Sequence, residues 1–332
     1  MHSWTVFKGS KDGRIVESKT EKQDPQGDQV LIKVTASGIC GTDLHFKTVD
    51  MVLGHEGVGI VEAIGPDVKK LKRGDRVGWG FEHDSCGLCK YCISGREPYC
   101  PERKWFGNAN LDQGSFALKA IWREAFLFKI PDDLTDEEAA PLMCAGATVW
   151  DALRMIANAP TNTIGIVGIG GLGHLAIQFA SKMGMDVVAL SSSERKKEEA
   201  MKLGAHRFYS TNGKKQLDIG EQKLDTLLIT TSFQPNLELY LPILKAEATI
   251  FPITISQGNF QIPYLPMILN GIRVQGTVIA SKPSMNRMIR FASTHQVKPI
   301  IMKYPMTKDG IEEAMGMLEK GQVRYRAVLV PQ

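Results

Sequence analysis

Apolar residues along the first third of the chain recur in short runs with a period of two. Val30, Ile32 and Val34 occupy alternate positions, with the intervening ones read as the polar face, and Gly57–Ile64 repeats an extended pattern. Gly65-Pro66 and Gly74-Asp75 supply the breaks between such runs, so this part is expected to be a β-rich domain. Near Pro160 the rhythm changes to alternating strands and helices, the sign of a parallel sheet built from βαβ units. Thr163–Val167 is the first expected strand, and Leu172, Leu175, Ala176, Phe179 and Met183 then recur at helical spacing up to Gly184. Residues 187–190, 226–229, 248–252 and 274–280 read as later strands. From Lys298 the pattern gives a strand, a helix stopped at Gly321 and a last strand through Val328. That tail is expected to return to the first domain, so residues 1–148 and 296–332 would form one domain and 149–295 a doubly wound α/β insertion.

A chain of 332 residues exceeds the usual size of a single hydrophobic core, which agrees with two domains. Its 43% hydrophobic and 23% charged residues describe an ordinary soluble, enzyme-like protein. The net charge of +4 comes from basic residues interspersed with acidic ones, so no nucleic-acid footprint is expected. Residues 1–9 contain no apolar signal-peptide core, which points to a cytoplasmic setting where thiols stay reduced. The longest uncharged stretch, residues 161–181, carries Gly165, Gly168, Gly170, Gly171, Gly173, His174 and Gln178 and makes a poor membrane span.

Gly168-Ile169-Gly170-Gly171-Leu172-Gly173 satisfies G-x-G-x-x-G where a strand should end and a helix begin. Such glycines permit a tight turn and the close approach of a pyrophosphate, and the helix N-terminus offers that anion free N–H groups. About 20 residues beyond the fingerprint, an NAD site usually carries an acidic side chain for the ribose 2′-hydroxyl. Here the residues are Ser191-Ser192-Ser193-Glu194-Arg195-Lys196-Lys197. Hydroxyls on Ser191 and Ser192 can donate to a 2′-phosphate, with Arg195 and Lys196 as counter-charges. The expected cofactor is therefore NADP(H).

The six cysteines divide into a loop of four, Cys86, Cys89, Cys92 and Cys100, and a distant pair, Cys40 and Cys144. The loop has the spacing C-x2-C-x2-C-x7-C, and Gly54-His55-Glu56 lies between the members of the pair. Zinc sites with four protein ligands are structural, whereas those with three keep an open position. Two Zn2+ ions per chain are expected, one for shape and one for chemistry. His2, His83, His174, His206 and His295 have no comparable company and read as ordinary.

With these motifs assembled, the chain resembles the zinc-dependent medium-chain alcohol dehydrogenases along nearly its whole length. The matching stretches are residues 38–45 (GICGTDLH), 54–57 (GHEG) leading to Gly65, 74–77 (GDRV), the four-cysteine loop, 144–148 (CAGAT), the glycine fingerprint and 323–326 (VRYR). The serine-rich coenzyme segment is similar to that of the NADP-using, cinnamyl-alcohol-dehydrogenase-like branch. The resemblance implies a GroES-like catalytic domain joined to a Rossmann coenzyme domain. It further implies a catalytic zinc on Cys40, His55 and Cys144, with Glu56 as a neighbouring or exchangeable ligand, and a structural zinc on the cysteine loop. Thr42 and His45 match the family's proton relay, Thr148 its threonine near the nicotinamide, and Arg324 its basic residue near the pyrophosphate. The implied reaction is reversible hydride transfer between NADP(H) and a primary alcohol or its aldehyde. Phe46, Trp79, Phe81, Trp105 and Phe106 lie in segments able to reach the cleft, which favours aromatic substrates. Only nine residues separate His45 from His55, so the cleft is expected to be open. A polyol or amino-alcohol dehydrogenase is the competing reading within the fold, and an NADPH-sensing zinc protein without turnover is the one outside it. The family's habit of pairing through an edge strand of the coenzyme sheet, here 274–280, makes a homodimer the expected assembly.

Overall fold

A computed structural model describes residues 1–156, 162–256 and 258–332. Pro160 and Thr161, at the change of rhythm, lie outside the described residues. The chain divides into two compact units, one of residues 1–147 with 279–332 and the other of residues 148–278.

The first unit is built on a mixed sheet of seven strands. Ile301–Pro305, Arg326–Val330, Gln29–Ile39, Gly57–Ile64, Arg76–Trp79 and Phe128–Lys129 follow one another across it, and Lys119–Arg123 pairs with Gln29–Ile39 off that path. The tail enters this sheet directly: Arg326–Val330 runs antiparallel to Gln29–Ile39, with Val328 opposite Gly38. The strand Gln29–Ile39 departs from simple alternation. Val30, Ile32 and Val34 belong to one buried cluster, while Leu31, read as part of a polar face, is buried in another with Trp4, Val6, Val52, Ala117 and Ile121. The reason is the ribbon formed by His2–Lys8 and Val16–Lys22, whose Trp4 and Val6 contribute to that second cluster. A strand covered on both faces loses the alternating signature of a half-exposed one.

The second unit is a six-stranded parallel sheet in the order Arg207–Ser210, Asp186–Ser191, Thr163–Val167, Leu224–Ile229, Leu244–Pro252, Arg273–Val274. Chain order therefore reverses beside Thr163–Val167, and ligands of such sheets bind outside the carboxyl ends of the strands at that point. The turn after this strand opens the helix Gly173–Lys182. The expected strand 274–280 shrinks to Arg273–Val274, with one further ladder bond from Gln275 N to Ile250 O at 2.9 Å. Gly276 and the exposed Val278 lie beyond it, so burial does not hold that stretch in the sheet.

The boundary near residue 295 also moves. The helix Lys282–His295, which periodicity did not single out, lies in the first unit, where Ser293 Oγ donates to Asp133 at 2.7 Å. No helix among the described residues is long and apolar enough to cross a membrane.

Candidate functional site

Three separate segments of the first unit converge on one point. Cys40 ends the strand Gln29–Ile39 and begins the short helix Gly41–His45; its N–H donates to Asp43 Oδ2 at 2.8 Å. His55 and Glu56 precede the strand Gly57–Ile64 after a turn at Gly54, where φ is +89° and a Cβ would fall 2.3 Å from Phe116. Only glycine fits both conditions. Cys144 comes from the π-helical turn Leu142–Gly146 that follows the helix Asp136–Pro141, and such bulges often mark functional positions. Ligand atoms of Cys40, His55, Glu56 and Cys144 all lie within 4.8 Å of one another.

The electrostatics of this cluster suit a soft cation. Burial would depress the His55 imidazole, but Asp43, with Oδ1 at 3.0 Å from Nδ1, holds it well above its ordinary value. Asp43 Oδ1 also accepts the Gly54 N–H at 3.2 Å, so the carboxylate fixes ring and turn together. With Nδ1 engaged, His55 Nε2 is buried and has no hydrogen-bond partner. A buried orphan nitrogen beside two sulfurs is the donor arrangement a zinc ion needs. A hydrogen bond with the Cys144 thiol holds the Cys40 group well below the usual thiol range, and Cys144 is itself pushed up by that hydrogen bond and by burial. Glu56, within that group, is paired with Arg326, whose guanidinium nitrogen meets its two oxygens at 2.5 and 2.6 Å. Burial pushes the Glu56 carboxyl up to about 7 against the pull of that arginine.

The second cysteine group forms a closed set. Cys86 lies 3.9 Å from Cys92 and 3.6 Å from Cys100, and Cys89 lies 3.6 Å from Cys92. A tetrahedron with metal–sulfur bonds of about 2.3 Å has edges of about 3.8 Å, so the four sulfurs already stand at zinc-binding separations. Backbone N–H donation from Cys92 lowers the Cys89 thiol to about 7, which favours the thiolate a metal needs.

In the second unit the glycine turn has the geometry of an anion cradle. Gly168 has φ of +92°, and a Cβ on Gly173 would stand 1.9 Å from Gly168 O, so the helix Gly173–Lys182 starts in close contact with the turn. Buried His174 bonds Gly170 O through Nδ1 at 2.9 Å, and Lys196 Nζ donates to Ile169 O at 2.6 Å. Lys196 is thus folded back onto the turn, and burial lowers its pKa. Ser191 is buried and its Oγ accepts the Ser193 N–H at 3.2 Å, whereas Ser192 and Arg195 are exposed.

Comparisons with known proteins point to one family. Residues 26–132 match the alcohol dehydrogenase GroES-like domain, and residues 171–294 match the zinc-binding dehydrogenase domain. Cinnamyl alcohol dehydrogenase 8 of Arabidopsis thaliana is 35% identical, covering 90% of this chain and 87% of its own. An NADP-dependent alcohol dehydrogenase C of Mycolicibacterium smegmatis is 33% identical over 90% of this chain and 89% of its own. The solved cinnamyl alcohol dehydrogenase of Sorghum bicolor superposes with a TM-score of 0.92 at 32% identity, covering 99% and 98% of the two chains. The chain belongs to the zinc-dependent medium-chain alcohol dehydrogenases. It is an NAD(P)-dependent oxidoreductase of the cinnamyl-alcohol-dehydrogenase-like kind.

Within this dehydrogenase, Thr42 is buried with Oγ1 at 3.8 Å from Cys40 Sγ, and His45 is exposed at the end of the same helix. Thr148 is buried in the helix Ala147–Arg154. Arg324, named from the sequence, is exposed, while Arg326 two residues on is the buried arginine that holds Glu56. Asp43 and Arg326 were both inside recognised motifs but carried no assigned role. Nothing in a linear pattern tells which of two arginines flanking Tyr325 points inward. The aromatic residues separate too: Trp79 is fully buried against Gly57 and Trp122 and lines no cleft. Phe106 is also buried and stacks on His55 at 4.7 Å, and half-buried Phe81 meets the same ring edge-on at 5.9 Å. Trp105 carries Arg103 over its ring in the small ribbon of Glu82–Asp84 with Lys104–Trp105.

Two measurements check this account. Asp43→Asn keeps the size but removes the charge that orients His55, so zinc affinity at that site is expected to fall about 10–100-fold in chelator competition. Buried Glu82 has its carboxyl pushed up to about 8 by burial and by Glu97, against Lys282 and Arg103. The folded chain then holds a proton that the unfolded chain releases near the ordinary value of 4.5, so stability falls as pH rises through that window. Glu82→Gln should flatten this decline, which is at most about 1.4 kcal/mol per pH unit, in urea titrations between pH 5 and about 8.

Proposed function

We propose that this dehydrogenase is NADP(H)-linked, carries two zinc ions per chain, and works chiefly as a reductase of apolar or aromatic aldehydes to primary alcohols. The observation that carries the reading is the convergence of two thiols and an orphaned imidazole nitrogen at a point where the nearby glutamate is already paired with arginine. Three donors leave a coordination position for substrate. Zinc held by Cys40, His55 and Cys144 supplies Lewis acidity toward a substrate oxygen, and NADP(H) carries the hydride.

The chain's own residues prepare that reaction. Asp43 keeps the proton of His55 on Nδ1 and leaves Nε2 as a donor to the ion. Two thiolates and a neutral ring balance a doubly charged cation, and Arg326 neutralises Glu56 beside them. Thr42, next to Cys40, would relay the proton of an oxidised alcohol, accepting it while its own hydroxyl proton passes on by way of the coenzyme ribose, and exposed His45 would exchange that proton with solvent, a task that suits an imidazole. In the coenzyme unit, the glycine turn and the first turn of Gly173–Lys182 would receive the pyrophosphate. Ser191, Ser192 and Arg195 would bind the 2′-phosphate, Lys196 braces the turn through Ile169 O, and Thr148 and Arg324 keep the nicotinamide and pyrophosphate roles that the family resemblance implies. No carboxylate occupies positions 191–193 to repel that phosphate. The NADP-dependent relative from M. smegmatis supports the coenzyme preference, and the relatives named cinnamyl alcohol dehydrogenase support the substrate class together with Phe81 and Phe106 around His55.

A homodimer formed by the second unit completes the proposal. The helix Tyr264–Leu269 exposes Tyr264, Leu265, Ile268 and Leu269 and leads into the sheet edge at Arg273–Val274, where Val274 is exposed as well. An apolar patch continuous with an open edge invites pairing across a two-fold axis.

Steady-state kinetics with both coenzymes against benzaldehyde-like, aliphatic and polyol substrates test the chemistry. NADPH with aromatic aldehydes should give the highest kcat/KM, Ser191→Asp should shift preference toward NADH, and His45→Gln should lower kcat with zinc content unchanged. A preference for NADH or for polyols in the native protein would overturn the respective assignment. Sedimentation should return twice the chain mass, and the mass of one chain would remove the dimer.

A further inference from the structure

The four-cysteine loop reaches beyond its own metal site through Glu97. This residue starts the 3-10 turn Glu97–Tyr99 inside the loop and is only 1% exposed. One carboxylate oxygen accepts the backbone N–H of Lys282, the first residue of the helix Lys282–His295. That helix has Ser281 at its N-cap without a side-chain cap bond, and Pro283 in its second position has no N–H to offer. The loop therefore supplies the cap that the helix's own sequence omits. A carboxylate is well suited there, because it meets both an unpaired donor and the positive end of the helix dipole. Gly95 of the same loop lies close by: a Cβ added to it would stand 3.5 Å from Pro283 Cγ. The Lys282 ammonium lies 4.6 Å from the centre of the Phe126 ring, which further fixes this first turn.

The other contacts of this helix lead to the catalytic cluster. Its buried face carries Met285, Met288, Ile289 and Ala292. Met288 Sδ stands 3.5 Å from the Cβ position of Gly146, in the π-helical turn Leu142–Gly146 that presents Cys144. At the far end, Ser293 Oγ and Gln296 Nε2 donate to Asp133 at 2.7 and 3.0 Å, and Lys298 pairs with Glu138 at 3.1 Å. The helix and the three residues that follow it thus meet residues 133–146 at both ends and in the middle, and the first turn of the helix is held by Glu97.

We propose that Glu97 is a positioning residue: by capping Lys282–His295 it passes the order of the four-cysteine loop to Cys144, so that the state of the first metal site governs how firmly the second holds its ion. The inference rests on zinc occupying both clusters, as proposed above. It predicts that loosening the cap releases the catalytic ion faster although no ligand has changed.

The test uses the full-length, zinc-loaded chain and compares native protein, Glu97→Ala, Glu97→Gln and Ile250→Ala. Ile250→Ala, in the core of the second unit, serves as a control of lowered stability away from the path. Metal content is measured first, then zinc transfer to a chromogenic chelator, then hydrogen exchange of residues 282–295 and 142–146. Glu97→Ala is expected to start with two zinc ions, to release the ion of the Cys40 cluster about tenfold faster, and to lose protection in both segments. Glu97→Gln, which still accepts the Lys282 N–H, should recover most of the native rate, and Ile250→Ala should leave that rate unchanged. Should Glu97→Ala fail to fold, Asp133→Asn loosens the opposite end of the same helix and is expected to speed release in the same direction. Release from Glu97→Ala, or from Asp133→Asn in its place, at the native rate or at that of Ile250→Ala would overturn the coupling. Native protein lacking zinc at Cys40, His55 and Cys144 would instead overturn the functional reading beneath it, and metal content separates the two failures.

Discussion

The hydrogen bond between Asp43 and His55 is the constraint on which the catalytic cluster depends. A buried imidazole can present a lone pair toward a metal only if its other nitrogen carries the proton and has somewhere to place it. Asp43 provides that place at 3.0 Å, and the same carboxylate ties down the N–H groups of Cys40 and Gly54. One side chain therefore fixes the direction of a nitrogen donor, the start of the helix behind one sulfur donor, and the glycine turn between them. Removing it would cost more than one hydrogen bond, because the two segments that carry Cys40 and His55 would lose their common reference.

A second pairing limits what the cluster can do. Glu56 is within reach of the same point as the three soft donors, and a free carboxylate there would compete for the coordination position that substrate needs. Arg326 engages both of its oxygens from the closing strand Arg326–Val330, which itself pairs with the strand that delivers Cys40. The return of the chain's tail to the first unit is thus chemically necessary: it brings the positive charge that balances a buried glutamate. Burial without that partner would be costly.

The two cysteine clusters differ in the way their functions differ. The loop quartet is assembled within fifteen residues, and its sulfurs stand near tetrahedral separations with no carboxylate grouped with them among the described residues. The other cluster is assembled from positions more than a hundred residues apart, so its geometry rests on the sheet, on the π-helical turn at Cys144 and on the helix that clamps that turn. Local sites tolerate movement of their surroundings, whereas dispersed ones inherit it. The capping of that helix by Glu97 is where the local site meets the dispersed one.

Much of this was legible in the sequence. The spacing of Cys86, Cys89, Cys92 and Cys100 and the glycine turn before Gly173–Lys182 rest on short-range requirements, because ligand spacing and positive-φ turns leave marks in consecutive residues, whereas the grouping of Cys40 and Cys144 with His55 followed from the family resemblance. The strands Gly57–Ile64 and Thr163–Val167 were likewise visible from their own patterns. Other features depended on what the chain brings from far away. Leu31 is buried because a ribbon from the N-terminus covers its face, Trp79 is core because Gly57 makes room for it, and the 274–280 strand is short because burial does not hold its outer part. The choice of Arg326 over Arg324 and the cap from Glu97 to Lys282 join positions 270 and 185 residues apart. The sequence by itself determined which chemical groups were present and which of them lay in ligand spacing. Only the tertiary structure decided which charges met, because a buried charge is settled by the partner that folding delivers, and no local pattern records that partner.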